Sequence, residues 1–298
     1  MAELRHASRQ GPPSHFPTLI SVWPADTLRL VAQRITELPG ALAQAQKEAL
    51  SLLKDCRRLL VLTGAGASAD AGIPTFRSDG GLWRNHHVEE LAHPEGFVKD
   101  PELVWDWYRE RRLTIASSAP HPGQRTIALL QRHFPPPGRV LIATTNEDDL
   151  LERAGVTPVL HLHGSLFETI CNDGCGWRAA DDFDNALSMM PCPRCGAAVR
   201  PGSVWYGEAL PRAPLQAITQ FNPDGCLLIG SSCLVQPAAA IPSDLLAAGH
   251  PVVEINTEET PFSPVASCSI RGSAKDVLPG LIDLLTSRTV QDQKRRVT

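Results

Sequence analysis

Four cysteines in two close pairs have the spacing that most directly indicates a chemistry. Cys171 and Cys175 are separated by three residues, Cys192 and Cys195 by two, and sixteen residues lie between the pairs. Two pairs at this separation are typical of tetrahedral zinc bound by thiolates. Because four thiolates leave no open coordination position, the spacing predicts one structural Zn²⁺ ion rather than a catalytic one.

A glycine-rich turn is the second feature with chemical potential. The apolar run 58–63 leads directly into Gly64-Ala65-Gly66-Ala67-Ser68-Ala69. Glycine has no Cβ, so the backbone N–H groups of such a turn can approach a pyrophosphate at the start of a helix. Ala69 replaces the third glycine of the usual dinucleotide-binding turn, and by itself the motif fits a tight strand-to-helix connection equally well. The sequence contains no Gly-Lys-Ser/Thr, which excludes a P-loop nucleotide hydrolase.

A histidine follows another apolar run. His163 comes directly after the run 159–162, and an imidazole that titrates near neutrality suits a general base. A single histidine is also common as a packed or surface residue. We expect the neighbouring His161 to point to the other face of the strand, with a structural role.

The alternation of apolar runs and helical segments predicts the elements that position these residues. A helix at 41–57 and a strand at 58–63 lead into the glycine turn, which is the opening of a Rossmann-like half. Because the carboxyl ends of parallel strands line the ligand crevice, the motifs should converge on one cleft. Further strands are expected at 140–143, 159–162, 225–229 and 251–255, and helices at 101–116, 120–132, 239–248 and 275–287.

The predicted fold class is therefore α/β: a Rossmann-like open parallel sheet with helices on both faces, plus a small zinc-binding insert. A length of 298 residues suits one large domain with such an insert. We expect an N-terminal appendage at 1–40, a main domain at 41–290 (Rossmann-like parts at 41–165 and 202–290, zinc module at 166–201) and a C-terminal tail at 291–298.

Composition and charge exclude several classes of function. A hydrophobic content of 43% with 20% charged residues is ordinary for a globular protein, and no apolar run is long enough for a membrane helix. The net charge of −4 argues against broad nucleic-acid binding. A zinc ribbon that binds nucleic acid is a rival interpretation of the cysteines, but the basic residues near them form a thin patch: Arg178, Arg194 and Arg200.

The cysteines outside the two pairs bear on the cellular location. Cys56, Cys226, Cys233 and Cys268 lie among apolar neighbours, which is typical of reduced, buried thiols. Reduced thiols indicate a cytoplasmic protein. The basic residues near the N-terminus leave a mitochondrial transit peptide open as an alternative.

The residues after the glycine turn resemble a known family. The stretch 64–77 reads G-A-G-A-S-A-D-A-G-I-P-T-F-R and is followed by Gly80-Gly81-Leu82-Trp83. It resembles the signature of the sirtuins, from which it departs at Ala71, and the resemblance extends over about residues 45–290. It implies contacts with NAD at Gly64, Ala65, Gly66, Ser68, Ala69, Ile73, Phe76, Arg77, Trp83, Thr145, Asn146, Glu147, Asp148, Gly230, Ser231, Ser232, Asn256, Thr257, Glu258 and Ala274.

The resemblance also implies an activity and partners. Sirtuins strip acyl groups from lysine side chains of proteins and consume NAD: the acyl oxygen attacks the ribose as nicotinamide leaves. By resemblance His163 is the catalytic base, with Asn146 and Asp148 as further catalytic residues, and the acyl group ends on ADP-ribose. The implied partners are acylated-lysine proteins, which the segment Val204-Trp205-Tyr206-Gly207-Glu208 binds by adding a strand to their backbone.

The acyl group itself is indicated by Tyr108 and Arg111, which are spaced i, i+3 on one helix face. They resemble the Tyr-x-x-Arg pair with which one sirtuin class grips a succinyl or malonyl carboxylate, and a phenol and a guanidinium suit that group. Such a pair also arises by chance in a charged surface helix, and Asp79 near the acyl pocket would repel an acidic group. We expect a desuccinylase or demalonylase with some deacetylase activity.

The segment 144–149 departs most from the family pattern. It keeps Asn146 and Asp148 but has Thr145 in place of glutamine and Glu147 in place of isoleucine. A carboxylate at 147 in the nicotinamide pocket is expected to stabilise the cationic ring of NAD, which strengthens the ground state rather than the transition state. Two further functions therefore stay open: ADP-ribosyl transfer to a protein, and an NAD-sensing module without turnover.

Overall fold

The structure is a computed structural model that describes residues 40–75, 82–84, 86–134, 138–180 and 189–296. Phe76, Arg77 and Asp79, which the sequence analysis singles out, lie outside the described residues.

The described helices are α1 (Gly40–Leu53), α2 (Gly66–Ala69), α3 (Val88–Leu91), α4 (Pro94–Lys99), α5 (Pro101–Ser117), α6 (Pro122–His133), α7 (Leu150–Arg153), α8 (Arg212–Phe221), α9 (Ala240–Ala247) and α10 (Ala274–Arg296). The described strands are β1 (Arg58–Thr63), β2 (Leu82–Trp83), β3 (His86–His87), β4 (Arg139–Thr144), β5 (Val159–His161), β6 (Gly164–Cys171), β7 (Arg178–Ala180), β8 (Val199–Ser203), β9 (Gly225–Ile229), β10 (Val252–Asn256) and β11 (Cys268–Arg271).

Six of these strands form a parallel sheet in the order β11-β10-β9-β1-β4-β5. The chain builds the sheet outward from β1, first through β4 and β5 on one side and then through β9, β10 and β11 on the other. The strand order therefore reverses between β1 and β9, and in an open α/β sheet this reversal opens a crevice at the carboxyl ends of the two strands. The predicted Rossmann-like fold is confirmed.

The central strand β1 is apolar throughout because both of its faces are covered. Leu59 and Val61 pack in the core beneath α1, α6 and α10, whereas Leu60 and Leu62 pack in a second core on the opposite face. All four side chains are at most 2% exposed. Burial of each such side chain contributes about 1.5–3 kcal/mol, and the alternation fixes which face meets which helices.

A smaller antiparallel sheet in the order β7-β6-β8 packs against α5 through a third core. The centre of this core holds Trp105 and Trp205, which are buried. Arg112 of α5 donates from Nε to the carbonyl oxygen of Leu166 on β6 at 2.5 Å. This contact ties the helix that carries Tyr108 to the small sheet.

Several observed elements were not predicted, among them helix α8, strand β11 and the strands β6, β7 and β8 of the small sheet. Strand β11 is not predicted because it has four residues with alternating burial, which is typical of a short edge strand rather than of a continuous apolar run. Helix α10 continues to Arg296, beyond the predicted end at 287. Among the described helices, none combines the length and the apolar character that crossing a membrane requires.

Candidate active site

A cleft of about 660 Å³ lies where the strand order reverses. Loops that follow five strands of the large sheet contribute to its wall, so the predicted convergence of motifs on one cleft is confirmed. Representative residues of these loops are Gly64 after β1, Thr145 after β4, His163 after β5, Gly230 after β9 and Thr257 after β10.

The glycine turn after β1 is locked against the loop after β9. Gly64 donates its N–H to the carbonyl oxygen of Ile229 at 2.8 Å, and Gly66 donates to that of Gly230 at 2.9 Å. A Cβ on Gly66 would lie 2.9 Å from Cα of Gly230, and one on Gly64 would lie 2.7 Å from Cα of Ser231. The two glycines are therefore required by the close approach of two loops. Their N–H groups, which the sequence analysis assigned to a pyrophosphate, are bonded within the protein.

Asn146 lines the cleft and its amide is held from behind. Its Nδ2 donates to Oγ of Ser68 at 3.1 Å, and Gln124 donates to the same oxygen at 3.2 Å. Ser68 is 1% exposed, so this serine orients the amide rather than facing a ligand. Ala65 and Ala69, from the same turn, do line the cleft.

Asp148 lies behind the cleft wall. It is 7% exposed, and its Oδ1 accepts the N–H of Leu150 at 3.1 Å, at the start of α7. Burial raises the pKa of this carboxyl, although the hydrogen bonds from Leu150 and Ser68 oppose the shift. The aspartate thus positions the loop that carries Asn146.

His163 borders the cleft and is fixed through its main chain. Its carbonyl oxygen accepts the N–H of Val204 at 2.8 Å, which joins the end of β5 to the segment after β8. Burial lowers the pKa of the imidazole, although the negative charge of Glu147 and a hydrogen bond to the backbone of Thr145 act in the opposite direction. The ring is therefore neutral at pH 7, as a general base must be.

Tyr108 of α5 lines the cleft, and Arg111 lies one helical turn further along the same helix. Tyr108 is buried against the cleft wall, and its phenol oxygen accepts a hydrogen bond from Nε1 of Trp205 at 2.8 Å. Burial raises the pKa of Tyr108, and the nearby Glu147 adds to the shift. The phenol therefore stays protonated.

Arg111 is bound to Glu147. Its Nη2 lies 2.6 Å from Oε2 of Glu147, and the two side chains are 23% and 7% exposed. The guanidinium also lies over the rings of Trp107, at 4.8 Å, and Tyr108, at 5.5 Å. From the sequence, the carboxylate of Glu147 is expected in the nicotinamide pocket. The structure gives that carboxylate a partner from α5, although the residue does line the cleft.

The opposite end of the cleft is formed by the loops after β9 and β10. Asn256 donates from Nδ2 to the carbonyl oxygen of Ser231 at 2.9 Å, which joins the two loops. Ser232, Thr257 and Glu258 complete this end. These polar loops at the carboxyl ends of two strands suit the ribose and adenine half of a dinucleotide.

The segment 204–208 forms a further wall, and its main chain is already partly engaged. Besides Val204, Trp205 donates its N–H to Glu208 at 2.9 Å, and Tyr206 donates to Ala92 at 2.9 Å. Glu208 is held in turn by Arg200 at 2.5 Å. The segment is therefore fixed in place.

Three predicted contacts lie away from the cleft lining. Ile73 and Trp83 pack against the core under α5, and Trp83 donates to Oε2 of Glu110 at 2.7 Å. Ala274 is 5% exposed in the core beneath α10. These residues support the site through packing. A local motif does not show which of its residues line a cleft and which pack behind it, so the sequence could not separate the two groups.

The cleft also has lining residues that the sequence analysis did not single out. Some of them could have been found from the sequence, because the stretch directly after Gly230-Ser231-Ser232 continues the same loop. The additional residues are Leu62, Asp70, Thr75, Glu89, Ala92, Leu210, Cys233, Leu234, Val235, Gln236, Ala238, Ala239, Pro242, Glu259 and Thr260.

The four paired cysteines come together at the small sheet. Their sulfur atoms all lie within 4.8 Å of one another, with 3.4 Å between those of Cys171 and Cys195 and 3.6 Å between those of Cys175 and Cys192. Tetrahedral zinc with Zn–S bonds of 2.3 Å needs sulfur separations of about 3.8 Å, so the cluster fits one ion. The cysteines lie outside the cleft lining, which agrees with a structural role.

Comparison with known proteins places the chain among related sequences. Residues 64–237 match the Sir2 family. The chain is 42% identical over 240 residues to an NAD-dependent protein deacylase of Mycobacterium tuberculosis, an alignment that covers 76% of this chain and 98% of the relative.

Two solved structures are similar. One is a crystal structure of a Sir2 homolog–NAD complex, with a TM-score of 0.75 and 37% identity, covering 82% of this chain and 94% of the other. The second is a mutant Sir2 homologue in complex with 2′-O-acetyl ADP-ribose, with a TM-score of 0.74 and 37% identity, covering 82% of this chain and 97% of the other.

Proposed function

The chain belongs to the Sir2 family, and on that premise we propose that it removes acyl groups from lysine side chains of proteins in an NAD-dependent reaction, with acidic acyl groups among its substrates. The observation that carries this proposal is the single cleft shared by His163, the glycine turn and the segment 204–208. In this proposal they supply the base, the dinucleotide site and the peptide-binding segment that transfer of an acyl group from lysine to a ribose requires.

The residues present fit NAD. The turn at Gly64 and Gly66 and the loop at Gly230 approach so closely that a Cβ on any of them would meet backbone atoms, which leaves a concave wall formed by main chain. When bound, NAD supplies an activated ribose with nicotinamide as the leaving group. Ala65, Asn146 and the loops after β9 and β10 would hold it, and the buried Ser68 would orient the Asn146 amide.

In this proposal His163 is the general base. A neutral imidazole accepts the proton of a ribose hydroxyl through its free nitrogen, and that hydroxyl then attacks the transferred acyl group. Burial keeps the pKa of His163 low, so the base is available at pH 7 without prior deprotonation.

The preference for acidic acyl groups rests on Tyr108 and Arg111. Both lie on one face of α5, and Tyr108 lines the cleft. A protonated phenol can donate a hydrogen bond to a carboxylate, and a guanidinium can bind it with two parallel bonds. Succinyl-lysine and malonyl-lysine are therefore proposed substrates, with acetyl-lysine as a neutral substrate of the same cleft.

The experiment is an incubation of the whole chain with acetyl-, succinyl- and malonyl-lysine peptides, with and without NAD. We expect NAD-dependent loss of the acyl group, with equimolar nicotinamide and O-acyl-ADP-ribose detected by mass spectrometry. ADP-ribosylated protein as the main product would indicate ADP-ribosyl transfer instead. Thermal stabilisation by NAD without release of nicotinamide would indicate a sensing module.

The acyl preference has a separate test in Arg111→Met. The variant should lose turnover of succinyl- and malonyl-lysine peptides by about tenfold to a hundredfold, in line with loss of a charge-assisted contact, while the acetyl-lysine peptide is less affected. An equal loss on all three peptides would contradict the role of Arg111 in binding an acyl carboxylate.

We also propose a cytoplasmic location. The support is that Cys56, Cys226 and Cys268 are free thiols at least partly buried among apolar side chains, as is usual in reducing compartments. Fluorescence microscopy of a tagged chain tests this proposal, and an exclusively mitochondrial signal would contradict it.

A further inference from the structure

Glu147, which lines the cleft next to Tyr108, forms an ion pair with Arg111 of α5 behind it. Glu147 follows β4 and Arg111 belongs to α5, so the contact joins two parts of the chain that are 36 residues apart. The carboxylate is 7% exposed and lies 2.6 Å from the guanidinium. Arg111 is 23% exposed, so water screens the two charges less than it would screen a pair on the surface.

The pair changes the charge that an incoming acyl group meets. Arg111 contributes one positive charge and Glu147 one negative charge, so this part of the cleft is neutral overall. The carboxylate of a succinyl or malonyl group would add a second negative charge beside the first. Like charges opposed in a partly buried site lower affinity, whereas a neutral acyl group leaves the ion pair intact.

We propose that Glu147 sets the balance between acidic and neutral acyl groups, because its carboxylate competes with the acyl carboxylate for the guanidinium of Arg111. This inference rests on the proposed deacylase function and deepens it. An acidic acyl group can bind Arg111 only when Glu147 gives up its partner. A buried carboxylate that loses its partner is unfavourable, so Glu147 reduces the advantage that Tyr108 and Arg111 would otherwise give to acidic substrates.

The first test is Glu147→Gln. Glutamine keeps the length and the oxygen that accepts from Arg111 but carries no charge. The ratio of kcat/KM for succinyl-lysine to that for acetyl-lysine should rise by at least about tenfold, because the acyl carboxylate then meets no competing carboxylate at Arg111. A change confined to folding would lower both values together and leave the ratio unaltered. If Glu147→Gln is unstable, Glu147→Ile removes the same charge and should raise the same ratio.

Two further variants separate the mechanism from general charge effects. In an Arg111→Met background, Glu147→Gln should raise the ratio clearly less than in the parent chain, because it then removes only the repulsion between two carboxylates and no longer ends a competition for the guanidinium. An equal rise in both backgrounds would contradict the competition. Asp106→Asn is the matched control: it removes one negative charge from the exposed ion pair of Asp106 and Arg109 on the same helix. This control should leave the ratio as it is in the parent chain.

Binding measurements keep this inference distinct from the proposed function. Calorimetric titration of the parent chain and Glu147→Gln with succinyl- and acetyl-lysine peptides gives a ratio of Kd values that requires no turnover. Absence of turnover with a shifted Kd ratio would refute the deacylase function and support the role of Glu147. Turnover on all peptides with unchanged kcat/KM and Kd ratios in Glu147→Gln would overturn the role of Glu147.

Discussion

His161 and His163 are two residues apart at the end of one strand and have opposite environments. Both ring nitrogens of His161 are engaged within the protein, at 2.9 Å from the carbonyl oxygen of Asn146 and 2.7 Å from Oε1 of Glu152, whereas His163 borders the cleft. Burial lowers the pKa of both rings, but the hydrogen bond and charge of Glu152 outweigh burial at His161 and raise its pKa. Side chains two residues apart share a face in a continuous strand, so the expected separation by strand alternation is wrong in its reason. Strand β5 ends at His161, and His163 lies beyond it in the following loop, which separates the structural histidine from the candidate base.

Replacement of the candidate base should abolish turnover without unfolding the protein. For His163→Ala we expect kcat to fall by about 10²–10⁴-fold, the usual contribution of a general base. The melting temperature and the zinc content should stay close to those of the parent chain, since the side chain is not a ligand of the cysteine cluster. His133→Ala, an exposed histidine at the end of α6, is the matched control and should retain activity. A fully active His163→Ala variant would remove the residue from the mechanism.

The pH dependence of turnover should report the lowered pKa of His163. Protonation removes the base, so kcat/KM falls on the acid side with a midpoint at the pKa of His163 in the free enzyme. Because that pKa lies below its ordinary value of 6.5, the midpoint is expected below pH 6.5. Rates measured from about pH 5 to pH 8 check this, since unperturbed imidazoles titrate in that range. A midpoint above 6.5 would contradict the assignment.

The pair of His161 and Glu152 should stabilise the fold in a pH-dependent way. The pKa of His161 is raised above its ordinary value of 6.5, so its stabilising contribution is complete below pH 6.5 and is lost as pH rises through the folded-state value. Glu152→Gln should therefore lower the melting temperature more at acid than at alkaline pH. Because the pair is partly exposed, its contribution to the free energy of unfolding at acid pH should be about 1 kcal/mol or less. If the difference in melting temperature between the parent chain and Glu152→Gln grew with rising pH, the proposed linkage would be wrong.

Zinc should be required for the small sheet and not for the chemistry. Cys192→Ser, or treatment with a chelator, should release one zinc per chain and lower the melting temperature, because binding of a structural ion contributes directly to folding. Turnover should fall as well, since β8 leads directly into the segment 204–208. Cys56→Ser is the control: burial raises the pKa of that thiol to about 12, and it lies outside the cluster, so zinc content should be unchanged.

A methyl group on the glycine turn should disturb the contact with the loop after β9. In Gly66→Ala the new Cβ would lie 2.9 Å from Cα and from the carbonyl oxygen of Gly230, so one loop must move. We expect a destabilisation of about 1–3 kcal/mol, typical of overpacking, and a higher KM for NAD. Gly40→Ala is the control, since a Cβ there has no neighbour within 4 Å among the described atoms. Unchanged stability and KM in Gly66→Ala would contradict the interlocked loops.

Much of the fold follows from patterns within short stretches of sequence. The run at β1 is apolar on both faces, which is the pattern of a central parallel strand, and it leads directly into the glycine turn. The cysteine spacing likewise predicted a cluster that the structure brings within 4.8 Å. Strand β11 escaped prediction because an edge strand with one covered face has a weaker pattern.

The sequence by itself determined the order of elements, the residues at the strand ends and the family motif, because periodicity and local spacing are properties of neighbours along the chain. The tertiary structure decided which of those residues face the cleft and which support it. Ser68 and Asp148 proved to lie behind the wall, and Glu147 found its partner in Arg111, 36 residues away. This ion pair depends on where α5 lies relative to the loop after β4, and the packing of the whole domain sets that position rather than any local sequence pattern.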